Sequence, residues 1–173
     1  MLNNLLAERL QMKTHYEQRP AIAYSIVASP EARRKLKKAD PARRSKCEDV
    51  RGVIADDPRD LHPELSNLIR CQNTTMAQFA SQLLGLAPDY FLQAVLDESN
   101  LAGAYDITVS YSGWGQMFGG GAAIPAGGEA SVPRPGLSLF DAVQRQLGVK
   151  LEQRKRPISV LIIDRIEKVP TDN

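Results

Sequence analysis

The sequence predicts an α+β fold, with helices packed on one side of a mainly antiparallel or mixed sheet. Three observations point there. A helix-strand-strand pattern occurs three times, over residues 2–28, 75–111 and 138–163. Two long loops, at about 29–72 and 112–137, hold most of the glycine and a dense run of positive charge between these units. The chain has 173 residues, 43% apolar and 24% charged, which suits a single soluble domain with its own core. No apolar run approaches the roughly 18 residues that a spanning helix needs.

The first unit opens with a helix over Leu2–Gln11, where Leu2, Leu5, Leu6 and Leu10 share one stripe. Two strands follow, Lys13–Gln18 and Ala21–Ala28, separated by Pro20. In the second unit Thr75 and Gln78 have the spacing of a capping box, and Met76, Phe79, Ala80 and Leu83 form the apolar face. Gly85 is placed to end that helix in a left-handed conformation. Strands are expected at Gln93–Leu96 and Tyr105–Tyr111, joined by a turn through Asn100-Leu101-Ala102-Gly103. In the third unit Ser138 caps a helix that buries Phe140, Val143 and Leu147 and stops at Gly148. An alternating strand follows over Val149–Arg154. After Pro157 comes Ile158–Ile163, apolar on both faces and therefore expected to be central.

Net charge is +2, too small to argue for nucleic acid, but its distribution is uneven. Residues 1–70 carry 14 basic and 10 acidic side chains, residues 71–135 one and five, residues 136–173 seven and five. The excess concentrates in Arg33, Arg34, Lys35, Lys37, Lys38, Arg43, Arg44 and Lys46. Such a run can bind anions or nucleic acid through phosphates, with affinity that falls steeply with salt. It lacks interleaved aromatics for base stacking, so a solvated surface loop is the plainer expectation. Eight of the twelve glycines lie between Ser112 and Gly136, but no Lys-Ser/Thr follows them and no helix is expected directly behind either cluster, which argues against a phosphate loop. Trp114, Met117 and Phe118 are the apolar residues of that excursion, either folded back on the domain or offered as a contact surface.

No arrangement of His, Cys and acids forms a recognisable catalytic, metal or cofactor site. His15 and His62 have no nucleophile at a known spacing. Asp97, Glu98 and Asp106 flank the turn at 99–103 and would serve a hydrolase if they converged; capping that turn is the commoner use. Ser112-Gly113-Trp114-Gly115 is a poor match to a nucleophile elbow, since no helix is expected behind it. Cys47 and Cys71 are either one disulfide or two thiols. As a disulfide, the chain-entropy model gives about 3.5 kcal/mol.

Several segments together resemble a large acidobacterial, soil-associated family of unknown function. They are Met1–Leu10 with Lys13, Thr75–Ala80, Val95-Leu96-Asp97 through Leu101-Ala102-Gly103-Ala104-Tyr105-Asp106, Leu139–Ala142 through Gln146–Leu151, and Ile163–Lys168. The family's turn usually has glycine where Asn100 stands, and asparagine tolerates the same backbone. Its members usually begin upstream, with a secretory signal and another helix-and-strand block that this chain is expected to lack. The resemblance implies export, which favours the Cys47–Cys71 disulfide. It also implies similarity to a domain appended to sensor-type membrane metallopeptidases, and in fold to the short N-terminal domains of secretins and TonB-dependent receptors. Those are protein-contact modules. The expectation is a non-catalytic secreted or periplasmic binding module with a protein partner in the envelope or outside the cell, without nucleic acid, cofactor or transmembrane segment.

Overall fold

A computed structural model of the chain describes residues 2–52, 54, 57–62, 64–118 and 136–167. In chain order the elements are α1 (Leu2–Arg9), β1 (Lys13–Ala28), α2 (Ala32–Lys35), β2 (Lys37–Lys38), β3 (Lys46–Asp49), β4 (Asn67–Thr75), α3 (Met76–Leu86), β5 (Val95–Asp97), β6 (Ala104–Tyr111), α4 (Trp114–Phe118), α5 (Leu139–Ala142), a π-helical turn (Val143–Leu147) and β7 (Val149–Arg165). The fold is mixed, with two sheets and few, short helices. The chain divides into a smaller unit, Met1–Ala23 with Lys155–Asn173, and a larger one, Tyr24–Arg154.

The larger unit is built on β4 and β6. They run antiparallel, Asn67 opposite Tyr111 and Thr75 opposite Ala104, with β2 added beyond β6 and β3 beyond β4. Alternation in β6 buries Tyr105, Ile107, Val109 and Tyr111. Thr75 ends β4 and caps α3: its Oγ1 accepts from the Gln78 amide, and the Gln78 side chain accepts from the Thr75 amide. Met76, Phe79, Ala80 and Leu83 of α3 then join Ile69, Ile107 and Val109 in the core. Each such large side chain contributes roughly 1.5–3 kcal/mol on burial. Ser138 caps α5 in the expected way, accepting from the Asp141 amide. Gly148 ends the π turn at φ +72°, where a Cβ would lie 2.8 Å from the Ala32 nitrogen, so glycine is required twice over.

The second sheet has the order β5-β1-β7, with Tyr24–Ile26 of β1 parallel to Val95–Asp97. The strand pairs expected on either side of Pro20 and Pro157 are single strands of 16 and 17 residues. Proline's fixed φ suits extended backbone, and only its missing N–H matters, which an edge position tolerates. Strand β7 is such an edge, and β5 reaches β1 only at residues 24–26, away from Pro20. Residues 158–163 are accordingly not central; their side chains alternate between half-buried and exposed.

Other departures are local. The loop expected at 29–72 contains α2, β2, β3 and most of β4. Gly85 lies inside α3, which runs one residue further and is capped at Ala87 by a bond to the Leu83 carbonyl. A five-residue helix, α4, follows Ser112. Most of the glycine-rich stretch, residues 119–135, lies outside the described residues.

The smaller unit comprises α1, Lys13–Ala23 of β1 and Lys155–Arg165 of β7. Gln11 at φ +47° ends α1, and the Glu167 amide donates to the Leu10 carbonyl. His15 Nδ1 meets the Asp164 carboxylate at 2.9 Å. The two strands run antiparallel, since the Leu10–Glu167 and His15–Asp164 contacts advance into β1 as they retreat into β7. Leu5, expected on a buried stripe, is instead half exposed.

Candidate functional site

Three regions could carry function: the segment between β3 and β4 with the cleft beside it, the acidic turn near Asp97, and the ribbon of β1 and β7. The first begins with Cys47 and Cys71, which sit opposite one another in the β3–β4 register with Cα atoms 4.0 Å apart and their sulfurs bonded. A second anchor, absent from the sequence reading, lies between them. Arg59 reaches back to Asp57 through Nε at 2.9 Å and Nη2 at 2.6 Å, and also donates to the carbonyls of Val50 at 3.2 Å and Gly52 at 2.6 Å. Both side chains are largely buried. The Arg59 hydrogen bonds hold the Asp57 carboxyl below the usual carboxylate range, and Asp57 in turn pushes the guanidinium up. The only sequence signal was Asp57-Pro58-Arg59, a turn with opposite charges two residues apart.

Beside this anchor lies a cleft of about 530 Å³, walled by residues 49–52, the end of α3 with Asp89, and the rings of Tyr90 and Tyr111. The Tyr90 hydroxyl donates to the Ser112 carbonyl at 2.7 Å. The Tyr111 hydroxyl makes no hydrogen bond among the described residues, although its side chain is 2% exposed. Burial pushes the pKa of Tyr111 well up, with the charges of Asp49 and Asp89 acting in the same direction. Arg51 pairs with Asp49 at 3.0 Å from a solvated position.

The expected trio of carboxylates is divided between the two sheets. Asp97 Oδ1 accepts from the Ser99 amide at 2.9 Å and its hydroxyl at 2.6 Å, tying the turn in which Asn100 and Gly103 both take positive φ. Glu98 faces Arg154 at 3.6 Å. Asp106 accepts from the Asn73 amide at 3.0 Å, at the irregularity between Cys71 and Thr74 in β4. It therefore satisfies a backbone donor released from the ladder. Turn-making and bulge-making account for Asp97 and Asp106.

The basic run is dispersed over regular structure and the connection between β2 and β3, where Arg43 and Arg44 lie. Arg33, Arg34 and Lys35 lie on α2, and Lys37 and Lys38 form β2. Lys35 pairs with Glu31 at 2.8 Å and lowers its pKa; Arg43 bonds the Gln72 side chain and faces Asp106 at 3.7 Å; Lys46 pairs with Glu48. The Arg44 carbonyl accepts from Gln72. Of the aromatic trio, Trp114 stacks edge-on against Tyr90 at 5.2 Å yet stays 41% exposed. Met117 is half-buried, close to Gly136, and the Phe118 side chain lies outside the described residues. Ser112 is buried with Oγ donating to the Glu64 carbonyl and accepting from the Leu137 amide, so it staples loops. His62 pairs with Glu64 at 3.2 Å.

The ribbon is different in kind. Tyr16 and Ile22 on β1 and Leu161 and Ile163 on β7 are 42–70% exposed, and Leu5 and Ile166 lie exposed in the same unit. Among the described residues, six of the ten exposed large apolar side chains thus belong to the smaller unit. No group of three or more metal-ligating side chains occurs among the described residues, and no described helix is long and apolar enough to cross a membrane.

A protein-family model described as "Protein of unknown function (DUF3738)" matches residues 1–166. Neither a curated protein nor a solved structure matches the chain.

Proposed function

The chain belongs to the DUF3738 family, and on its own residues we propose that it is a non-catalytic binding module that works outside the cytoplasm, in the periplasm or as a secreted protein, by presenting the β1–β7 ribbon to a protein partner. The observation that carries this is the exposed apolar set Tyr16, Ile22, Leu161 and Ile163 on a ribbon whose strand β7 is a sheet edge. An open edge with apolar side chains is what strand addition by a partner uses, backbone bonds giving affinity and side chains specificity. The cysteine pair supports an oxidising compartment. An envelope location and kinship with domains appended to membrane metallopeptidases belong to the same reading. Against a hydrolase stands the use of Asp97 and Asp106 by their own backbone.

The test is a photo-crosslinking residue at position 161 in protein expressed in its native host. A discrete protein adduct is expected there, and none from position 92, where Leu92 is exposed on the larger unit. No adduct at 161 would overturn the reading. So would turnover of an ester, peptide or glycoside substrate that is lost on Asp97→Asn.

A further inference from the structure

We propose that the cleft between β3 and the end of α3 binds an organic cation, an ammonium or guanidinium group, with Asp49 and Asp89 as counter-charges and the Tyr111 hydroxyl as hydrogen-bond acceptor. The site lies wholly within Tyr24–Arg154 and stands independently of the ribbon.

Its volume, about 530 Å³, is in the range of small-molecule and side-chain sites. Tyr111 is 2% exposed and lines the open cavity, so its hydroxyl, which bonds to no other described residue, is available to a ligand there. That hydroxyl can donate or accept, so the surrounding charge decides which ligand suits it. Asp49 and Asp89 are the charges that bear on it, and both are negative. The carbonyl end of α3 adds to the same sign, with no basic residue in its last turn. Arg59 lines the cleft but is committed to Asp57 and to two carbonyls, leaving it little to offer an anion. Arg51 is the one remaining cation of the wall among the described residues. Its side chain is almost fully solvated and its pair with Asp49 is worth little, so an incoming cation can take its place. The ring of Tyr90 in the wall gives a bound cation an aromatic neighbour.

Trp114 is the single tryptophan and touches Tyr90, so its fluorescence reports on the cleft in the intact chain. Two probes separate the source of the cation: agmatine for a free amine, and a blocked glycyl-arginyl-glycine tripeptide for a polypeptide side chain. A saturable change with either supports the site and names its source. Asp89→Asn, at an exposed position that leaves the fold alone, should weaken binding roughly tenfold, about 1.4 kcal/mol. Tyr111→Phe should weaken it severalfold, with circular dichroism confirming the fold, and Arg51→Ala should tighten it. The proposal is overturned if neither probe gives a saturable change at millimolar concentration. It is also overturned if inorganic phosphate binds instead and Arg51→Ala abolishes that binding.

Discussion

The two units spend their apolar residues in opposite ways. In Tyr24–Arg154, alternation in β6 and the stripe of α3 meet, and Phe79, Ile107 and Val109 are fully buried. In the smaller unit comparable residues, Tyr16, Ile22, Leu161 and Ile163, stand exposed on two strands. A pair of strands alone is marginal in water, so the first arrangement is explained by stability and the second is not. An apolar surface retained without a stabilising use points to a use in contact.

The largest expected effect is Phe79→Ala, which should cost about 3–5 kcal/mol in urea unfolding. Leu161→Ala should stay within about 0.5 kcal/mol, and equal costs would erase the distinction between the units. Next comes the cross-link. Removing it as Cys47→Ala with Cys71→Ala should cost about 2–4 kcal/mol, and non-reducing mass spectrometry of the native protein should find the two cysteine peptides joined. Two freely alkylated thiols would remove the support for export as well. Smaller again is the acid response. The Asp57 carboxyl is held low by Arg59, so the stability it contributes is present above the ordinary aspartate value of about 3.9 and is lost as pH falls through its lower folded value. Asp57→Asn should flatten the acid limb of stability against pH; an unchanged limb would show that the Asp57–Arg59 pair contributes nothing to stability. The smallest effect on stability is Ile163→Lys, expected to leave the unfolding midpoint unmoved while abolishing the partner adduct.

Local signals in the sequence were legible where one residue sets one backbone state. The capping box of Thr75 and Gln78, the Ser138 cap, the stop at Gly148 and the left-handed Asn100 all stand as read. Long-range arrangement was not legible. Pro20 and Pro157 looked like strand breaks because whether a proline interrupts a strand depends on which neighbour needs its N–H, and sequence does not show neighbours. Residues 158–163 looked central because an apolar run reads the same in a core and on an exposed edge. The cleft was hidden for a similar reason: Asp49, Asp89 and Tyr111 are far apart in the chain and meet only when β3, β6 and the end of α3 come together. Arg59 reached its carbonyl partners through a turn whose shape no spacing rule encodes.

The contrast between the two units is tested most directly by native-state hydrogen exchange on the isolated protein, resolved by peptide. Amides of Ile69, Cys71, Ile107 and Val109, in the paired and buried strands β4 and β6, should exchange only through global unfolding. Those of residues 159–165 in β7 should exchange far faster and become protected when a partner binds. Protection of 159–165 equal to that of β4 and β6 in the isolated protein would contradict the account, because the ribbon would then be a covered part of the fold and not a surface kept open for contact.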